Sequence, residues 1–393
     1  MKRRNVIASV SEAIFSVLCC ALTCAACTSA SIFTPIGTNM ANPLTVAVDS
    51  TAKRAYVMNA NDKVLYTTGS VHVVDLSTIT SPTRVNSTTI DGFTGQLLLD
   101  TTNKVLYTPN RLSANDDVVV DAMQRINVDE TSTSFLSLSA VDANGNPFGI
   151  GFDRSVAPVT QIVAPSREGI LDVFNISSGA ASRTAQINLK QALDSGTTPT
   201  TVDASEAVVI GAQAFVTRAT GGLLVVNLNE ATSTTANPVD YEIDDIQSPR
   251  GIATDGTSLF VVSVETDGST KTNYLYVLNL VTLTADSSNT TTAVKHKDNG
   301  FVVRRVAVGG NPEEVLMNGT TAYVTNFDDS TVSVIDTTTG TVTATITVGS
   351  EPFGMAFYQQ VAGTNSHLLV CNHASNTVSI IALASNAIVA TYP

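Results

Sequence analysis

The stretch Thr321–Gly349, which reads TAYVTNFDDSTVSVIDTTTGTVTATITVG, decides the fold. It is rich in Val, Ile, Thr and Tyr, which favour β-strands. Three strand-like runs lie within it, at Thr321–Asn326, Val332–Asp336 and Thr343–Val348. Another run opens before it at Pro312, and the intervening Asn318-Gly319 pair is typical of a hairpin turn. The segment therefore predicts four short antiparallel strands.

These runs recur along the chain, and the repeat is the strongest signal in the sequence. Copies of the third run end at Asp75, Asp121, Asn175, Asn227, Asn279, Asp336 and Ala382, at intervals of 46 to 57 residues. A copy of the second run precedes each of them. A proline opens most units, at Pro43, Pro147, Pro199, Pro249, Pro312 and Pro352, whereas the second unit starts near Phe93. Proline suits the first residue of a strand because it has no N–H to donate.

Four strands in each repeat are typical of a propeller blade. One twisted sheet cannot bury both of its faces, but seven sheets packed face to face around an axis bury them all. We therefore predict an all-β fold, a seven-bladed β-propeller of four-stranded antiparallel blades, over residues 43–393. The predicted blades are 43–92, 93–145, 146–197, 198–247, 248–309, 310–349 and 350–393. The repeated Tyr is expected in the core between blades, and the repeated Asn and Asp are expected to cap turns.

The same residues resemble a known repeat family. Thr321–Asn326, Val332–Asp336 and Gly340–Val342 closely match the YVTN-type β-propeller repeat. Blade seven follows the pattern with Asn372 and Asn376–Ile380, and blades one to five are more diverged. The resemblance covers essentially the whole mature chain. Relatives in that family include cell-surface proteins, exported proteins and lactonase-like enzymes, so the resemblance implies a fold and leaves the function open.

The N-terminus resembles a lipoprotein signal peptide. Lys2, Arg3 and Arg4 precede an apolar stretch that is too short to span a bilayer and ends in small residues before Cys27. We predict a signal peptide over residues 1–26, lipidation of Cys27, and an exported, membrane-anchored protein in the periplasm or on the cell surface. Plain secretion with cleavage nearby is the alternative. Residues 27–42 are expected to form a tether or an outer strand, while Ala387–Tyr392 is expected to be the outer strand of blade seven.

Composition restricts the partners. The net charge is −13 and becomes more negative without the basic signal peptide, so nucleic acid is an unlikely partner on electrostatic grounds. With four His and no phosphate-binding glycine loop, the sequence predicts neither a metal site nor a cofactor. We expect a monomer that binds an unidentified envelope protein or a small ligand.

One set of residues breaks the repeat. The inner strands of a propeller open at one mouth of its central channel, and there the sequence places Phe148, Arg250, Glu313, Glu314 and Phe353. Packing alone would repeat one residue type in every blade, so differing residues form a candidate ligand site, although ordinary drift between repeats is the alternative. The small residues that follow the opening prolines indicate crowding of the inner strands near the axis.

The sequence is thus interpreted as a lipid-anchored binding scaffold. The alternative is a lactonase-like hydrolase with a small-molecule site in the channel, which would need three or four Asp, Glu, Asn or His side chains around one point. A structural component of a surface layer is a weaker alternative.

Overall fold

The computed structural model describes residues 40–59, 68–90, 93–111, 121–143, 145–154, 156–190, 202–232, 238–244, 246–280, 295–296 and 301–393. The predicted lipidation residue Cys27, most of the predicted tether and the predicted opening residue Pro199 lie outside these ranges. None of the helices found in the described ranges has the length and apolar character needed to cross a membrane.

The strands follow one another as antiparallel meanders, inner strand first. Blade one contains β1 (Pro43–Asp49), β2 (Arg54–Asn59), β3 (Gly69–Asp75) and β4 (Thr83–Ile90). Blade two contains β5 (Phe93–Thr94), β6 (Leu98–Asp100), β7 (Val105–Arg111), β8 (Ala122–Asn127) and β9 (Leu138–Asp142). Blade three contains β10 (Gln161–Pro165), β11 (Ile170–Asn175) and β12 (Ser182–Asn188). Its inner segment pairs with β10 through two isolated bridges, Pro147 with Ser166 and Gly151 with Val163.

The second half of the ring is more regular. Blade four contains β13 (Ala204–Ile210), β14 (Gln213–Arg218), β15 (Leu223–Asn227) and β16 (Val239–Ile243), with a 3-10 turn at Leu228–Glu230. Blade five contains β17 (Pro249–Thr254), β18 (Ser258–Asp267), β19 (Thr270–Asn279) and β21 (Val302–Ala307), while β20 (Lys295–His296) pairs in parallel with β16. Blade six contains β22 (Pro312–Asn318), β23 (Thr321–Asn326), β24 (Thr331–Asp336) and β25 (Thr341–Thr347). Blade seven contains β26 (Pro352–Tyr358), β27 (His367–Asn372), β28 (Thr377–Ala382) and β29 (Ala387–Tyr392).

The hydrophobic core lies between the blades. Buried apolar side chains of the described residues form seven clusters, each of which joins two successive blades. In the cluster between blades six and seven, the ring of Tyr323 meets that of Phe357 edge to face at 5.6 Å. The cluster that contains Val46, Leu369 and Tyr392 joins blade seven to blade one and closes the ring. The predicted all-β, seven-bladed fold is confirmed.

The repeated polar residues hold the turns. Asp336 Oδ1 accepts a hydrogen bond from the backbone N–H of Thr338 at 2.8 Å, as its predicted capping role requires. Asn326 does more than cap one turn. Its Oδ1 accepts from the N–H of Gly309 at 3.1 Å, and its Nδ2 donates to Ser333 Oγ at 2.9 Å. This residue therefore connects the loop that enters blade six to two strands of that blade.

Ring closure follows the predicted order. Strand β29 pairs with β28 and is the outer strand of blade seven. At the seam, the backbone N–H of Asn42 donates to Asn376 Oδ1 at 2.7 Å. The C-terminal segment thus completes the last blade. Residues 31–37, which belong to the predicted tether or outer strand, lie outside the described residues.

The predicted opening of blade four at Pro199 is wrong. The inner strand begins at Ala204, and it forms a hairpin with β14 through Gly211, which has a φ of +58°. Ala204 therefore holds in blade four the register position that Pro312 holds in blade six.

Candidate functional site

A β-bulge near the start of the inner strands directs side chains into the channel. The register against the second strand shifts between Ala204 and Ala207 in blade four and between Pro312 and Val315 in blade six. A threonine on the second strand fills each bulge, and Thr325 Oγ1 accepts a hydrogen bond from the N–H of Glu314 at 3.0 Å. A bulge disrupts the strict alternation of a strand, so two successive residues can both face the channel.

The inner strands crowd one another, as the sequence predicts. A Cβ on Gly251 would lie 2.5 Å from the carbonyl oxygen of Glu313, and a Cβ on Gly354 would lie 2.5 Å from that of Leu44. Only glycine permits so close an approach of two backbones. Counting from the hairpins, Glu206 and Glu314 occupy the same repeat position as these glycines, each beside a glycine of the preceding blade.

One mouth of the channel holds a cavity of about 420 Å³, which we name the upper cavity. It is lined by Leu44, Phe148, Arg167, Ser205, Glu206, Pro249, Arg250, Glu313 and Phe353, among others. Four of the five predicted site residues, Phe148, Arg250, Glu313 and Phe353, therefore come together from blades three, five, six and seven. The fifth, Glu314, does not line this cavity.

Charged and aromatic side chains both line the upper cavity. Arg250 and Glu313 form an ion pair, and the guanidinium of Arg167 lies over the ring of Phe148, 5.0 Å from its centroid. Phe353 meets Phe327 edge to face at 6.4 Å. Burial lowers the pKa of Arg250, whereas the nearby Asp328 raises it. A ligand in this cavity would meet flat apolar faces beside charged hydrogen-bonding groups.

Glu206 lies at the inner end of the upper cavity, where its carboxyl group is buried and one of its oxygens has no partner among the described residues. It is only 4% exposed, and its Oε2 has no hydrogen-bond partner among the described residues. Burial raises the pKa of Glu206 to about 8, with a further contribution from the charge of Glu314. Hydrogen bonds from the backbone of Ile252 and the side chain of Gln96 oppose this rise. Glu206 is therefore largely protonated at neutral pH.

Glu314 belongs to the opposite end of the channel. It lines a second cavity of about 460 Å³, the lower cavity, whose walls include the distal ends of inner strands such as Val48 and Phe357. Burial raises the pKa of Glu314 to about 7, although the N–H of Met355, which donates to Oε2 at 2.5 Å, and the guanidinium of Arg154 both lower it. The sequence placed Glu313 and Glu314 at one mouth, but Glu313 lines the upper cavity and Glu314 lines the lower cavity.

Sequence reasoning missed Glu206, Arg154 and Arg167. A signal existed for Glu206, because it precedes Ala214 by eight residues, as Glu314 precedes Ala322 in blade six. Arg154 and Arg167 follow the inner segment of blade three and carry no repeat signal. Among the described residues, no three His, Cys, Asp or Glu side chains lie close enough together to hold one metal ion.

Comparison with known proteins supports the fold alone. No family model and no curated protein sequence matches the chain. The solved structure of hydrazine synthase from Kuenenia stuttgartiensis matches with a TM-score of 0.64 at 12% identity, covering 89% of this chain and 98% of that one. The Cps50 (Swd1) β-propeller domain of Myceliophteria thermophila matches with a TM-score of 0.60 at 9% identity, covering 87% and 98%. The computationally designed Ika8 protein matches with a TM-score of 0.55 at 10% identity, covering 92% and 89%. The chain shares the β-propeller architecture with these structures, and its own seven blades define it as an all-β seven-bladed propeller.

Proposed function

We propose that the chain is an exported, lipid-anchored binding protein of the cell envelope, and that its propeller binds a small ligand in the upper cavity. The observation that carries this proposal is the convergence of Phe148, Arg250, Glu313 and Phe353 on one cavity. These residues come from four blades and hold equivalent places in the repeat, yet they differ in chemistry. Packing alone would favour one residue type there.

The groups in this cavity suggest the kind of ligand. The rings of Phe148 and Phe353 offer apolar faces, and the paired Arg250 and Glu313 offer donors and acceptors at the rim. The unpartnered Oε2 of Glu206 offers a hydrogen-bonding group at the inner end, which donates when the carboxyl group is protonated. A small neutral molecule with a hydroxyl group and an apolar face suits this arrangement, because it satisfies the buried oxygen without bringing a charge into the channel.

The anchor rests on the sequence. The basic residues Lys2, Arg3 and Arg4, the short apolar stretch and Cys27 together follow the pattern of a lipoprotein signal. The YVTN-type resemblance fits this location, since that family includes exported and cell-surface proteins. The lactonase-like alternative needs three or four Asp, Glu, Asn or His side chains around one point, whereas Glu206 and Glu313 line the upper cavity and Glu314 lines the lower cavity.

Saturation-transfer NMR tests the binding function. The probes are a panel of methyl glycosides and substituted phenols, all of which have hydroxyl groups on an apolar framework. We expect at least one probe to receive magnetisation from the wild-type protein, and expect that signal to disappear in Phe353→Ala. The matched control is Phe357→Ala, which changes the lower cavity and should leave the signal intact. The absence of any signal from the panel, or equal signals from Phe353→Ala and wild type, would contradict the proposal.

A further inference from the structure

The lower cavity has the features of a second ligand site, separate from the upper cavity. Its walls combine polar groups with apolar side chains, among them Leu97, Phe152, Leu316 and Phe357. Polar side chains and turns surround its rim, among them Ser50. A cavity that combines apolar side chains with a few convergent polar groups is the usual form of a small-molecule site.

The inner end holds an arginine whose donors are unused by the described residues. The guanidinium of Arg154 lies over the ring of Phe152, 4.9 Å from its centroid. No carboxylate of a described residue forms an ion pair with it, although Glu314 and Glu206 are close enough to attract it electrostatically. The side chain of Arg154 is exposed to solvent at the lower mouth. The protein around it removes part of its hydration, and this desolvation lowers its pKa. Arginine stays charged even so, and its planar fork matches a carboxylate.

The carboxyl group of Glu314, which lies beside Arg154, does not prevent an anionic ligand from binding when it is protonated. Glu314 lines the lower cavity beside Arg154, and one of its oxygens is occupied by the backbone N–H of Met355. With a pKa of about 7, Glu314 is substantially protonated at and below neutral pH. A protonated carboxyl group donates a hydrogen bond and does not repel a bound carboxylate.

We propose that the lower cavity binds an organic monocarboxylate with a short apolar body. Its carboxylate lies on the guanidinium of Arg154, and its apolar part lies along Phe152, Leu316 and Phe357. This site would have one cation for one anion, together with apolar surface for the remainder of the ligand. It does not depend on the ligand proposed for the upper cavity, and the two sites can be tested with different variants.

Binding at this site should be linked to a proton. The titratable groups around Arg154 and Glu314 are Glu206 from blade four, Cys371 from blade seven and Asp49, which lines the cavity and is paired with Lys104. When Glu314 and Glu206 ionise, they compete for Arg154 and repel a carboxylate. A bound carboxylate therefore raises the pKa of Glu314 and draws a proton from the solvent.

Titration calorimetry with hexanoate provides the test. At about pH 6 we expect saturable binding in the millimolar range or tighter. At about pH 7.5, where Glu314 is partly ionised in the free protein, we expect proton uptake, revealed by heats that depend on the ionisation enthalpy of the buffer. Hexan-1-ol, hexylamine and acetate should each bind at least about tenfold more weakly, because each lacks either the carboxylate or the apolar body. Raising the pH to about 8.5 should weaken hexanoate binding by about tenfold or more.

Four variants identify the groups responsible. Arg154→Gln should abolish hexanoate binding, whereas Arg154→Lys should retain a weakened, still pH-dependent affinity. Glu314→Gln should retain binding at about pH 6 and should lose most of the proton uptake that wild type shows at about pH 7.5. The matched control is Arg167→Gln, which alters the upper cavity and should bind hexanoate like wild type. Absence of binding by wild type, hexan-1-ol binding as tightly as hexanoate, or a folded Arg154→Gln variant with unchanged affinity would each overturn the proposal.

Discussion

Replacing Glu206 by Gln should stabilise the protein at alkaline pH. Glu206 is almost fully buried, and its pKa in the folded protein is about 8, compared with an ordinary value of 4.5. Below the ordinary value, the carboxyl group is protonated in both the folded and the unfolded chain. Between the two values, only the unfolded chain ionises, so the free energy of unfolding falls as the pH rises.

The size of this effect follows from the difference between the two pKa values. Each pH unit between them costs the wild type about 1.4 kcal/mol, which amounts to about 5 kcal/mol in total by pH 8 as an order of magnitude. Glutamine has the same shape and no charge, so the Glu206→Gln variant does not undergo this loss. The variant should therefore gain stability over wild type steadily from about pH 4.5 to about pH 8, and the difference should then level off.

Thermal and urea unfolding of both proteins across this pH range measure the difference. A matched control is Glu168→Gln, which exchanges an exposed glutamate in the β10–β11 turn. A stability difference between Glu206→Gln and wild type that stays constant with pH would refute the reasoning. So would a difference that moves against the variant as the pH rises, since either result means that the folded protein does not hold Glu206 protonated.

Three further predictions concern the core, the seam and the anchor. Tyr323→Ala should lower the free energy of unfolding by about 3–5 kcal/mol, because a side chain that is 4% exposed leaves a cavity between blades six and seven; a change near zero in urea unfolding would contradict this packing. Deleting residues 387–393 removes β29, and with it Tyr392 from the cluster that joins blade seven to blade one, so it should lower the melting temperature and expose the edge of β28. An unchanged melting temperature would show that ring closure does not depend on this strand. Cys27→Ser should move the protein from the membrane to the soluble fraction, and intact mass should show acyl chains on wild type only; an unmodified wild-type N-terminus would contradict lipidation.

The blades were predictable because their determinants are local. Strand propensity, hairpin pairs such as Asn318-Gly319 and capping residues such as Asp336 act within a few residues of one another. A repeated local pattern also limits the possible folds, because four-stranded sheets with two apolar faces bury both faces only when the sheets pack on one another. The prediction failed where the pattern lapsed, at the start of blade four, which opens at Ala204 without a proline.

The candidate site was predictable only as a position in the repeat. The sequence indicated that residues after the opening prolines face the channel, and four of these residues do line one cavity. Glu313 and Glu314 are adjacent in the sequence, yet they line different cavities, and this is decided only when the inner strands are assembled around the channel.

The amino-acid sequence by itself determined the number of blades, the order of their strands and the crowding of glycines at the axis, because each of these follows from short-range chemistry repeated at intervals of 46 to 57 residues. Only the tertiary structure decided what the channel contains. Gln96, Arg154, Glu206 and Glu314 come from four different blades and meet only when the ring closes. The raised pKa values of Glu206 and Glu314 arise from the same closure, since enclosure by distant segments removes the water that would otherwise stabilise their charges.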